Sequence, residues 1–200
     1  MANTTIPGSD VEYYTINYNY QQYWPINRWA TFLFNLDLGY GDALGDTTSL
    51  PPYKNYFGGG PDTVRGFKEN RLGPKDDFGN PYGGDTLVAG QAEFLLPMPE
   101  KWQAKARFSL FYDIGNVFSL GDVQFYDKSN LVPIEYDFDS GNLKQSVGIA
   151  AQWLAPLGMF RFSYAFPLNA EDGTSTLNGD STNLYGDETE RFQFSIGGAF

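Results

Sequence analysis

Neither cysteine nor histidine occurs among the 200 residues. That double absence removes disulfides, thiol chemistry, Cys/His metal sites and every histidine-based triad or dyad. Basic residues are also few, 13 Lys and Arg against 24 Asp and Glu, for a formal net charge of −11. A basic patch for nucleic acid or an anionic surface is therefore not expected. No apolar run approaches the roughly 20 residues of a membrane-spanning helix. The first basic residue is Arg28, and MANTTIPGSD at 1–10 has neither the charged region nor the apolar run of a secretory signal. A cytosolic protein and a mature fragment with an added Met1 both fit that start.

Aromatic residues are plentiful: 17 Phe, 14 Tyr and 4 Trp, enough to bury a large apolar surface despite 23 Gly and 12 Pro. They recur with period two. Ala30, Phe32, Phe34, Leu36, Leu38 and Tyr40 alternate with Thr31, Asn35, Asp37 and Gly39, with Leu33 as the exception. Tyr14, Ile16, Tyr18 and Tyr20 precede them across a turn at Pro25–Asn27, as in a hairpin. Val88 to Leu96, Trp102 to Ile114, Leu143 to Trp153, Phe160 to Phe166 and Phe192 to Phe200 follow the same rule. Seven strands are clear, and a weak eighth is expected around Pro52–Phe57.

Short links near residues 25, 98 and 156 alternate with long polar ones near 41–50, 58–84, 116–141 and 169–189. Tight turns at one end and long loops at the other are the pattern of an outer-membrane β-barrel. A soluble β-sandwich also alternates and stays open as a reading. Aromatics near strand ends and the terminal Phe200 favour the barrel. The expected fold class is all-β, an antiparallel transmembrane β-barrel of about eight strands.

The stretch YFGGGPDTVRGF at 56–67 holds three glycines and a lone arginine. It lacks the spacing, the following helix and the Lys of a phosphate loop. A disordered external loop is one alternative; a loop folded into the barrel is the other. Glu93 and Asp113 lie on the polar phases of consecutive strands, and one guanidinium can bond both carboxylates through its planar fork. Eight strands enclose only room for side chains. A closed monomer therefore cannot hold residues 58–84 inside. Either two copies pair to approximate sixteen strands, or a small barrel expels the loop.

VRGF at 64–67 with LGP at 72–74, AEFLLPMP at 92–99, FYDIGNVF at 111–118, SVGIAAQWLAPLGMFRFSYAFPL at 146–168 and FQFSIGGAF at 192–200 resemble the BamA family, the central barrel of the outer-membrane β-barrel assembly machinery of Gram-negative bacteria. The resemblance implies half of a sixteen-stranded barrel, with the POTRA domains and first barrel strands absent. Residues 1–9 would be a start or preceding loop. Residues 58–84 would be the inward-folded arginine loop and 190–200 the final strand. Val64, Arg65, Gly66 and Phe67 would form the loop motif, with Glu93 and Asp113 as the lumenal acids that receive Arg65. Phe192, Phe194, Ile196, Gly197, Gly198 and Phe200 would lie on the strand at a lateral gate. The family's loop is often longer, so any function of that insertion does not carry over.

The function so implied is non-enzymatic insertion and folding of β-barrel proteins into the bacterial outer membrane. Its partners would be unfolded barrel clients, the lipid bilayer and other machinery subunits reached through the POTRA domains. Nucleic acid is not expected, a homodimer of the fragment is possible, and no cofactor or metal is implied. A passive pore and a related secretion barrel remain as alternatives. A hydrolase lacks a nucleophile motif. EDG at 171–173 and GDETE at 186–190 lack the spacing of a calcium loop.

Overall fold

The structure, a computed structural model, describes residues 1–5, 11–27, 30–121, 123–127, 132–156, 158–172, 175–177, 180–182 and 185–197. Eight strands form one antiparallel sheet in chain order: β1 (Ala2–Thr4), β2 (Tyr13–Pro25), β3 (Thr31–Ala43), β4 (Thr86–Leu95), β5 (Ala106–Phe118), β6 (Lys144–Ala155), β7 (Gly158–Pro167) and β8 (Phe192–Gly197). Each strand pairs with the next along the chain, so no crossover is needed. The sheet is open, with β1 and β8 at opposite edges. It corresponds to half a barrel wall.

Register lines up the alternation across the whole wall. Trp24, Phe32, Phe94, Leu110, Ile149, Tyr164 and Phe192 are successive cross-strand partners and form one row. Trp24, Leu110, Ile149, Tyr164 and Phe192 of that row are exposed. Aromatic pairs such as Trp24–Phe32, with centroids 5.7 Å apart, add side-to-side contact along it. A soluble sandwich buries its apolar face against a second sheet, whereas this wall presents its apolar face outward as a lipid-facing band. Among the described residues no helix is long and apolar enough to cross a membrane.

The polar face is the buried one. Thr15, Glu93, Ser109, Asp113, Ser146, Ser163 and Gln193 are buried on it, and Glu93, Asp113 and Gln193 bond to the loop that connects β3 to β4. That loop carries its own small core of Val64, Phe67 and Leu72, and Tyr56 packs with Leu87, Ala89 and Val117.

Three expectations need correction. The weak strand at Pro52–Phe57 is a 3-10 turn over Pro52–Lys54, because Pro51 and Pro52 cannot donate to a ladder. The eighth strand is instead β1, inside the segment expected to be a start or loop. The alternation that runs back to Trp102 does not make strand there either. Glu100–Gln103 form one helical turn, α1, following Pro97 and Pro99.

Candidate functional site

The site is built on the polar face of β4 and β5, where the loop after β3 folds back onto the wall. Gly59 and Gly66 hold φ of +92° and +89°, a region other residues rarely enter. The turn between them closes when the Gly60 N–H donates to the Phe67 carbonyl at 2.9 Å. Arg65 is thereby aimed at the wall and is 5 % exposed.

Its guanidinium engages both acids. Nε and Nη2 donate to Asp113 Oδ2 and Oδ1, each at 2.7 Å, and Nη1 donates to Glu93 Oε1 at 2.5 Å. The Arg65 main-chain N–H adds a fourth bond, to Asp113 Oδ2 at 3.0 Å. Bidentate pairing of this kind is strong and fixes orientation. The structure thus brings together Arg65, Glu93 and Asp113, the three charged residues singled out from the strand phases. Val64 and Phe67 lie in the loop's apolar core, and Gly66 sits against β7.

Phe111 completes the site and was missed in the sequence reading. The Arg65 guanidinium carbon stands 3.6 Å from the centroid of its ring, a cation–π contact. Room for that ring comes from the inner row Glu93, Phe111, Gly148, Ala165, again successive cross-strand partners. A Cβ on Gly148 would stand 2.6 Å from the Phe111 Cζ and 2.3 Å from the Tyr164 carbonyl oxygen. The available signal was phase: Phe111, like Val117 further along, is apolar at an odd, lumen-facing position of a strand whose other apolar residues are even.

Gly148→Val should therefore displace the ring and the cation above it. Overpacking of this kind costs about 1–3 kcal/mol. Unfolding by denaturant in detergent checks the loss, and protease cleavage within 58–84 should rise in parallel.

A second set of contacts joins the loop to the segment before β8. Thr189 and Glu190 pair with Phe67 and Gly66. Glu188 bridges Lys68 at 3.0 Å and Arg71 at 3.1 Å, and Lys75 donates to the Gly186 carbonyl. Lys144, buried at the start of β6, pairs with Asp187 at 2.8 Å and Glu171 at 3.0 Å. These pairs link segments distant in the chain, which period-two reasoning does not address.

Partial burial alone would raise the Glu188 carboxyl pKa, but the hydrogen bond from Lys68 and the positive charges of Arg71 and Lys68 outweigh it and hold the pKa below its usual 4.5. A depressed carboxyl favours the folded arrangement above the unfolded pKa, and that contribution disappears as pH falls through the folded pKa. The Lys68 N–H, which donates to the Glu188 carbonyl at 2.8 Å, should lose protection below about pH 4.5. Hydrogen exchange corrected for intrinsic rates checks this. Glu188→Gln should abolish the pH dependence.

Of the final-strand residues, Phe192, Phe194 and Ile196 are exposed on the outer face, and Gly197 is partly buried with a lumenal neighbour in Arg161. Gly198 and Phe200 lie outside the described residues. β8 pairs with β7 from Met159–Gly197 to Tyr164–Phe192. Its other edge has no strand partner among the described residues.

Comparison with known proteins gives one consistent result. Residues 1–200 match the Omp85 superfamily domain. Outer membrane protein assembly factor BamA of Neisseria meningitidis serogroup B is 33 % identical over 217 residues, covering 100 % of this chain and 25 % of that protein. The sorting assembly machinery 50 kDa subunit of Saccharomyces cerevisiae is 25 % identical over 201 residues, covering 100 % of this chain and 38 % of that protein. The crystal structure of BamA from Haemophilus ducreyi lacking POTRA domains 1–3 superposes with a TM-score of 0.76 at 28 % identity, covering 96 % of this chain and 36 % of that one. The chain spans about a quarter of the Neisseria relative's length.

Proposed function

Because this chain belongs to the Omp85 superfamily, as a barrel portion of the BamA kind, we propose that it takes part in inserting and folding β-barrel proteins in the bacterial outer membrane. In this reading β8 stands at a lateral gate and the loop at 58–84 braces the lumen. The relatives carry the name assembly factor, and the work requires no covalent chemistry. Unpaired backbone groups of a client strand cost several kcal/mol each in hydrocarbon, roughly, until a neighbouring strand satisfies them.

The observation that carries the proposal is the match over the whole chain to a protein named as an assembly factor; β8 pairs with β7 and with no other strand among the described residues. A strand edge whose outward residues already match lipid can accept a client strand by β-augmentation. Gly197 offers no side chain to pack where the strand nears its end. Glu93 and Asp113 are committed to Arg65, which makes them a brace instead of an acid–base pair. Clients would be unfolded outer-membrane barrels, the surrounding medium lipid, and accessory subunits would attach through POTRA domains. A second copy of this half-wall could pair along the edges at β1 and β8.

Reconstitution in liposomes tests the reading. Photo-crosslinkers at Phe194 and Ile196 should capture a client strand during insertion, and Ile149, on the outer face of β6, should not. Ion conductance without any client folding would instead favour a passive pore.

A further inference from the structure

One side chain on the edge strand reaches back into the arginine loop. Gln193, 4 % exposed, occupies a lumenal position on β8. Its amide oxygen accepts the Gly66 N–H at 3.2 Å, and its amide nitrogen donates to the Phe67 carbonyl at 2.7 Å. Both halves of the amide are thus spent on adjacent main-chain groups of the loop. The neighbouring residue, Arg65, is fixed to β4 and β5 through Glu93 and Asp113. Gly66 itself lies close against β7, where an added Cβ would stand 2.9 Å from that of Ala165.

We propose that Gln193 is a register pin, a positioning residue that fixes β8 along β7 by tying it to the arginine loop. The outer face does not fix that register. A one-residue slip would turn Phe192, Phe194 and Ile196 into the lumen and is strongly opposed. A two-residue slip keeps all three facing lipid, because the strand reads aromatic or aliphatic at every second position. Lumenal contacts distinguish the two arrangements: on β8 itself they come from Gln193, and the pairing of Thr189 and Glu190 with Phe67 and Gly66 ahead of the strand acts in the same sense. A two-residue slip moves the strand by about 7 Å. It would bring Ser195 or Arg191 opposite the Gly66–Phe67 dipeptide; Arg191 has no acceptor for the Gly66 N–H, and the short Ser195 hydroxyl offers one atom where the amide presents a separate oxygen and nitrogen. Loop and edge strand therefore move as one unit, and releasing the loop releases the register. The consequence for client assembly rests on the proposed gate; the register itself does not.

These 200 residues contain no cysteine, so introduced pairs report on the sheet in outer-membrane vesicles once any cysteine elsewhere in the protein is replaced by serine. Arg161 and Ser195 are partners in the observed register, so an Arg161→Cys/Ser195→Cys pair reports it. A Met159→Cys/Ser195→Cys pair and a Ser163→Cys/Ser195→Cys pair report the two-residue slip in its two directions. Gln193→Met removes both hydrogen bonds at similar volume and should raise the slipped cross-link about tenfold relative to the native one, the order expected for two lost hydrogen bonds. Gln193→Glu keeps the acceptor for Gly66 but sets a carboxylate oxygen against the Phe67 carbonyl, and should shift the ratio the same way. It serves as the second variant if Gln193→Met does not accumulate. An unchanged ratio in the variant that accumulates overturns the pin. Client insertion on the same vesicles separates the two readings. A slipped register with insertion unaltered overturns the gate and leaves the pin standing, whereas an intact register with insertion lost overturns the pin.

Discussion

Arg65→Ala should leave the wall folded and free the loop. The substitution strips the one guanidinium that, among the described residues, pairs with Glu93 and Asp113, in a site where Asp113 is fully buried and Glu93 is 7 % exposed. Two carboxylates then face each other without a counter-charge, beside an aromatic ring that has lost its cation. Breaking a buried ion pair costs about 3–5 kcal/mol. Water in a lumen moderates that figure, so a loss near 3 kcal/mol is expected here, borne by the loop because the wall's ladder of strand pairs does not depend on Arg65. Limited proteolysis should show new cleavage within 58–84 while the strands stay protected, and client insertion should weaken. Arg65→Lys keeps the charge but not the planar fork, so it should recover only part of the protection. Unchanged cleavage in Arg65→Ala would refute the brace.

Ile149→Arg carries the second large effect. Ile149 sits near the middle of β6, is 58 % exposed, and has Leu110 and Tyr164 as cross-strand partners on the same outer face. In a soluble protein a charge at so exposed a strand position would change stability little. On the lipid face near the bilayer midplane an arginine costs about 2–4 kcal/mol, falling to about 0–1 kcal/mol near the interface. Leu168, also exposed but beyond the long-loop end of β7, is the matched control. Unfolding titrations in lipid should separate Ile149→Arg from Leu168→Arg by at least about 2 kcal/mol. Equal effects would mean that the apolar band does not meet lipid.

The wall was legible because one simple rule, apolar at every second position, holds over seven strands, and because register then stacks like with like. The charged triad was legible for the same reason: strand phase placed Glu93 and Asp113 on one face, and glycines flanking the arginine motif let the loop turn toward them. β1 was not legible, since Ala2, Asn3 and Thr4 contain no pattern and pair with β2 mainly through main-chain groups. α1 was hidden because Trp102 and Ala104 continue the alternation while the prolines before them start a helical turn. Phe111 and Gln193 act through single contacts with the loop, and a pattern read along one strand cannot reveal what a distant segment lays upon it. The same holds for Lys144, whose partners Glu171 and Asp187 come from beyond β7.

The flat ring of Phe111 above Gly148 limits how this wall can drift over generations. The two positions share a fixed volume: a methyl group gained at 148 must be matched by carbon lost at 111, and that exchange strips the guanidinium of its seat. Carbon lost at 111 does not by itself make the room, because the same methyl also meets the Tyr164 carbonyl oxygen at 2.3 Å. What keeps the arginine in place is thus partly an empty space.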